Sequence, residues 1–208
     1  MTTIRTTDGL SLETQWDDAR ESASGVAVLR HPHPLQSGTM NAPLLAAVTE
    51  SLVTAGIHVL RFNFRGVGSS EGAWDRGVGE TIDVAAAVSA ANLAFPELPL
   101  GVAGWSFGAT TSLGWQIETA SSVPWVGIAP GIGSYHGSEV PDVSRLASAD
   151  RLIIVGDRDQ FASVEEMQDF AGRAGAALEV LPGSDHFFFH REKTVGSLVA
   201  EHLRSGGQ

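Results

Sequence analysis

This 208-residue sequence predicts an α/β fold with a doubly wound, mostly parallel sheet, and three features carry that expectation. Short apolar runs rich in valine and isoleucine alternate with longer stretches of helical periodicity. The runs are apolar throughout, as strands covered by helices on both faces must be. Glycine- and aspartate-rich loops follow several of them, at the strand ends where open α/β sheets gather their functional groups.

The elements follow in order. Thr3 to Trp16 contains Asp8-Gly9 between two stretches with β-branched or alternating apolar residues, which reads as an antiparallel hairpin at a sheet edge. Val26 to Arg30 is the first buried strand, and Ala42 to Ala55 the first helix. The strand His58 to Phe64 leads to a helix over Glu80 to Asn92. Glu80 and Asp83 there suit a helix N-terminus, an effect worth about 0.3 to 1 kcal/mol. Leu100 to Ala103 and Trp125 to Ala129 are strands flanking a helix at Phe107 to Glu118. Strands at Leu152 to Val155 and Leu178 to Leu181, with helices at Val164 to Gly172 and Glu192 to Arg204, complete the pattern. Ser205 to Gln208 reads as a frayed end. No internal repeat interrupts the chain, and its length suits one sizeable core, so a single domain over residues 1–208 is expected.

Composition narrows the function. A net charge of −11 repels phosphate backbones and anionic lipid, which disfavours nucleic-acid and membrane-surface binding and suits a small neutral or cationic substrate. Nowhere do eighteen apolar residues run together, and Met1 to Arg5 is not followed by an apolar stretch, so a cytoplasmic location is the default expectation. The absence of cysteine removes disulfides, thiolate metal sites and a cysteine nucleophile.

Gly104-Trp105-Ser106-Phe107-Gly108 lies between an expected strand and an expected helix and reads as a nucleophile elbow. Such a turn holds its serine at an exposed tip and aims the N–H of Phe107 and the helix N-terminus at the position of a developing oxyanion. Five residues alone equally fit a glycine-rich corner with an incidental serine. A serine hydroxyl becomes a nucleophile only with a histidine base and a carboxylate to orient it. Gly156-Asp157-Arg158-Asp159 follows one strand and supplies two candidate acids; Ser184-Asp185-His186 follows another and supplies the base, His186. The alternative for His186 is a loop histidine bonded to a neighbouring carbonyl. The order serine, acid, histidine is that of the α/β-hydrolases.

Together these segments resemble the alpha/beta-hydrolase superfamily over nearly the whole chain. His31-Pro32-His33-Pro34-Leu35-Gln36-Ser37-Gly38-Thr39-Met40-Asn41 and Arg61-Phe62-Asn63-Phe64-Arg65-Gly66-Val67-Gly68-Ser69-Ser70-Glu71-Gly72 further resemble a small, lidless branch of predicted hydrolases with HPHP and FNFRGxGxS segments. The branch has glycine where Ser37 stands, and an acidic or amide residue where Ala42 follows Asn41. The resemblance implies that the acid is Asp159, three residues after the strand-ending glycine, and leaves Asp157 to cap the turn.

Five further readings concern the loops. The second oxyanion donor is expected after the first buried strand; Pro34 has no N–H, so Leu35 is the expected donor beside Phe107. His31 and His33 share a strand face, but no third ligand has recognisable spacing, so no metal is expected and His33 is assigned to bracing this loop. Gly66, Gly68 and Gly72 lack the spacing of a phosphate-binding loop, so no cofactor is expected there. Arg65 is expected to anchor its loop rather than bind an acidic substrate. Phe187-Phe188-Phe189 is expected to pack under the final helix rather than line an acyl pocket.

Pro130 to Asp150 leaves no room for a substantial lid, so the site is open to small solutes. The function implied is that of a serine hydrolase cleaving a small carboxylic ester or thioester through an acyl-enzyme. A dienelactone-hydrolase-like or peptidase activity ranks lower, lacking a cysteine nucleophile or a gating domain. A non-catalytic interaction module on the same scaffold is the reading from another class.

Overall fold

Side chains of β3 (Gly25–Arg30) alternate between two apolar layers, and that alternation sets the architecture. Val26 and Val28 pack into one layer, Ala27 and Leu29 into the other. The computed structural model describes residues 2–20, 22–133 and 137–205; of the expected frayed end, residues 206–208 lie outside the described residues.

Among the described residues the sheet has eight strands. β1 (Thr2–Arg5) and β2 (Ser11–Asp17) form the expected edge hairpin, and β2 pairs antiparallel with β4 (Ile57–Phe62). All other neighbours are parallel: β4, β3, β5 (Leu100–Trp105), β6 (Trp125–Ile128), β7 (Arg151–Gly156) and β8 (Ala177–Leu181). Helices α1 (Pro43–Thr54) and α5 (Glu192–Ser205) cover one face through Leu45, Leu52, Val195 and Val199. Helices α2 (Val78–Ala94), α3 (Phe107–Thr119) and α4 (Val164–Ala174) cover the other through Val84, Leu113 and Phe170. Both faces of the inner strands are thus dry, which is why those strands read as unbroken apolar runs. No helix among the described residues is long and apolar enough to cross a membrane.

Local chemistry sets the boundaries. Pro43 opens α1, where a missing N–H costs nothing. Ser163 caps α4 by accepting from the Glu166 N–H at 3.2 Å while Glu166 accepts back from the Ser163 N–H at 2.8 Å. β4 ends two residues before the expected Phe64, because the chain there leaves the ladder. Phe64 N–H donates to the His31 ring at 3.0 Å, and the Asn63 side chain bonds Met40 N–H and Glu13. α2 begins earlier than expected because Glu80 accepts from Asp75 N–H at 2.9 Å and Gly77 N–H at 2.8 Å. Glu80 therefore caps the helix as expected, but Asp83 does not: it is buried and takes the Arg65 guanidinium at 2.7 and 3.0 Å and the Arg65 N–H at 2.9 Å. Asp8 of the hairpin turn adds a second carboxylate to Arg65 at 3.0 Å, so this arginine anchors its loop.

Candidate active site

Every candidate residue lies at the carboxyl ends of parallel strands. Ser106 sits between β5 and α3 with φ 52° and ψ −117°, a region that side chains disfavour and that persists only where the surroundings enforce it. Its N–H is held by the Ile128 carbonyl at 2.8 Å. The two glycines of the motif are required by close approach. A Cβ on Gly104 would lie 2.6 Å from the Gly108 carbonyl carbon, and one on Gly108 would lie 2.5 Å from the His31 carbonyl oxygen. Arg30, buried at the end of β3, locks the same corner by donating from Nε to the Gly108 carbonyl at 3.1 Å.

His186 lies in the loop after β8. Its Nδ1 is 2.8 Å from Asp159 Oδ2, so this pair leaves the other ring nitrogen, Nε2, unused. Asp159, with its side chain only 1% exposed, spends its other oxygen on Phe161 N–H at 2.8 Å and Ala162 N–H at 3.3 Å, so the carboxylate is fixed before it meets the imidazole. Asp157 does something else: it accepts from Gly183 N–H at 2.6 Å and braces the turn between the two loops. Ser106, His186 and Asp159 line one cavity. Ser106 Oγ and His186 share no hydrogen bond among the described residues, a link that commonly tightens only once substrate binds.

Phe107 N–H is the first of the α3 amides that have no partner within the helix, and Phe107 lines the cavity. Leu35 behaves otherwise than expected. Its N–H donates to His33 Nδ1 at 3.1 Å, capping the 3₁₀ turn Pro34–Gln36, and its side chain is 56% exposed and outside the cavity lining. The amide is therefore consumed by the turn it was expected to project from. The same bond makes His33 the brace of this loop, between the rings of Trp74 and Phe107 at 5.4 and 5.1 Å. Ser37 adopts φ 61°, which explains why glycine suits that position.

His31 is fully buried, with Nε2 accepting from Phe64 N–H and Nδ1 on the Pro32 carbonyl at 2.7 Å, so the ring is neutral and both nitrogens are engaged. Burial pushes its pKa down to about 4, against a weaker opposite pull from the Pro32 bond. An unfolded histidine binds its proton near pH ~6.5. The native ring does so only near 4. Its contribution to stability is therefore intact above about pH 6.5 and lost as pH falls from there through about 4. The expected loss is about 3 kcal/mol in urea unfolding between pH 7 and below pH 4, and His31→Asn should show a correspondingly flatter decline.

Three neighbours of His186 gave no sequence signal. The Trp105 indole donates to the His186 carbonyl at 3.2 Å, Gln160 accepts from the His186 N–H at 3.3 Å, and the Phe161 ring stands edge-on to the imidazole at 4.6 Å. The expectation that Phe187-Phe188-Phe189 packs into the core holds for Phe188 alone, which is fully buried; its two neighbours are exposed because consecutive residues of this turn point to opposite sides.

A family model described as alpha/beta hydrolase domain matches residues 37–205. An alpha-beta serine hydrolase homologue from Coxiella burnetii superposes with a TM-score of 0.83 at 28% identity, covering 97% of this chain and 96% of that one. A serine hydrolase without a lid from Xanthomonas campestris gives 0.84 at 27% identity, covering 98% and 93%. An uncharacterized protein of Rickettsia prowazekii is 29% identical over 202 residues, 92% of this chain and 84% of that one.

Proposed function

Because the chain belongs to the alpha/beta hydrolase domain family, we propose that it is a serine hydrolase cleaving a small carboxylic ester or thioester through Ser106, His186 and Asp159. One observation above all supports the reading: an imidazole held at 2.8 Å by a buried carboxylate shares a cavity with a serine kept in a strained elbow.

In the proposed cycle His186 Nε2 takes the Ser106 hydroxyl proton as Oγ bonds to the substrate carbonyl carbon. The carbonyl oxygen becomes an oxyanion at the Phe107 N–H. The partner donor is expected from the His31–Gly38 loop, whose His33 and Gln36 line the cavity. Collapse breaks the bond to the leaving oxygen or sulfur, which departs with the proton from His186. A water then loses a proton to the same nitrogen, attacks the acyl carbon, and releases the carboxylic acid and Ser106.

A fluorophosphonate serine probe tests this directly. The folded wild type should be labelled, and both Ser106→Ala and the heat-unfolded protein should not. A folded wild type that stays unlabelled would point to a non-catalytic scaffold.

A further inference from the structure

Exposed aromatic rings lie beside the imidazole of His186, two of them, Phe187 and Phe189, outside the cavity lining. Phe187 and Phe189 are 39% and 66% exposed, and their rings stack on one another at 5.7 Å. Phe187 also stands edge-on to His186 at 5.7 Å and to Trp105 at 6.1 Å. Phe161, 38% exposed and part of the cavity wall, stands edge-on to the same imidazole at 4.6 Å. Phe188 between them is fully buried with φ 54°, and His190 follows with φ 64°. Two non-glycine residues thus hold left-handed backbone in the turn that presents this pair to solvent, an arrangement that core packing alone does not call for.

The chemistry assigns a side to this surface. During acylation the departing oxygen or sulfur must lie against His186, because it takes its proton there, while the carbonyl oxygen lies at the Phe107 amide. An apolar surface that contacts the imidazole therefore meets the leaving half of the substrate. Resting on the serine-hydrolase reading, we propose that Phe161, Phe187 and Phe189 form a platform that selects substrates whose alcohol or thiol half carries an aryl or other flat apolar group. Stacked and edge-on contacts to such a group supply binding energy that an alkyl alcohol does not recover. Since the leaving group is gone once the acyl-enzyme has formed, the platform acts on acylation and not on deacylation.

The test compares naphthylmethyl acetate with ethyl acetate, which share an acyl group, in wild type and in Phe187→Ala, Phe189→Ala and Phe189→Trp. The ratio of kcat/KM for the two esters should fall about tenfold in each alanine variant and be restored by tryptophan. Ethyl esters that carry the naphthyl group on the acyl side should show no such change in ratio. Leu93→Ala, at an exposed leucine in the last turn of α2 with no ring contact to His186, should keep the wild-type ratio. An active wild type whose ratio is unchanged by the alanine substitutions overturns the platform, as does an equal fall in the acyl series. So does a change in oligomeric state without a change in ratio, which would make the pair a contact between copies. A wild type that hydrolyses neither ester and takes no serine probe overturns the hydrolase reading as well.

Discussion

Ser106→Ala should lower kcat by about 10⁶-fold with little change in melting temperature. The substitution removes one oxygen atom that makes no hydrogen bond among the described residues and keeps the Cβ, so the strained turn and its Ile128 contact are unaltered. Phe107 lines the cavity and is untouched, so a residual rate of about 10³- to 10⁴-fold over water should survive from the proposed oxyanion site and binding alone. Steady-state turnover of an activated ester, with thermal unfolding of the same sample, checks both halves. A loss of only a few-fold would move the nucleophile elsewhere.

Asp159→Asn should cut turnover by about 10³- to 10⁴-fold. The bonds from Phe161 and Ala162 N–H can be kept by the amide oxygen, which directs the amide NH₂ group toward His186 Nδ1. The imidazole must then accept at Nδ1 and carry its proton on Nε2, the tautomer that cannot take a proton from serine. Asp157→Asn keeps the acceptor for Gly183 N–H and touches no ring, so it should change turnover little. The opposite ranking in kcat would transfer the acid's role to Asp157.

Much of this arrangement was legible in the sequence, for physical reasons. Strands buried on both faces leave apolar runs whose limits fall within a residue or two of the observed ones, and β4 departs only where a histidine ring replaces a ladder partner. Ser106, Asp159 and His186 each follow a strand, so locating the strands places the residues at the carboxyl end of the sheet. Leu35 was not legible in this way, because a side chain two residues back captures its amide, a contact decided by the rotamer of His33. Asp83 was drawn from the helix terminus by Arg65, eighteen residues earlier in the chain, and no local pattern encodes that pair. The alternation of exposed and buried rings at Phe187 to Phe189 depends on the left-handed Phe188 backbone, which a run of three identical residues does not announce.

Rapid quenching of wild-type protein with excess p-nitrophenyl acetate, followed by proteolysis and mass mapping, tests the proposed nucleophile most directly. The expected result is a single acetyl group on Ser106 that accumulates within the first turnover and disappears once substrate is exhausted. Acetyl groups on another residue with the same kinetics, or turnover without any transient adduct, would contradict the assignment.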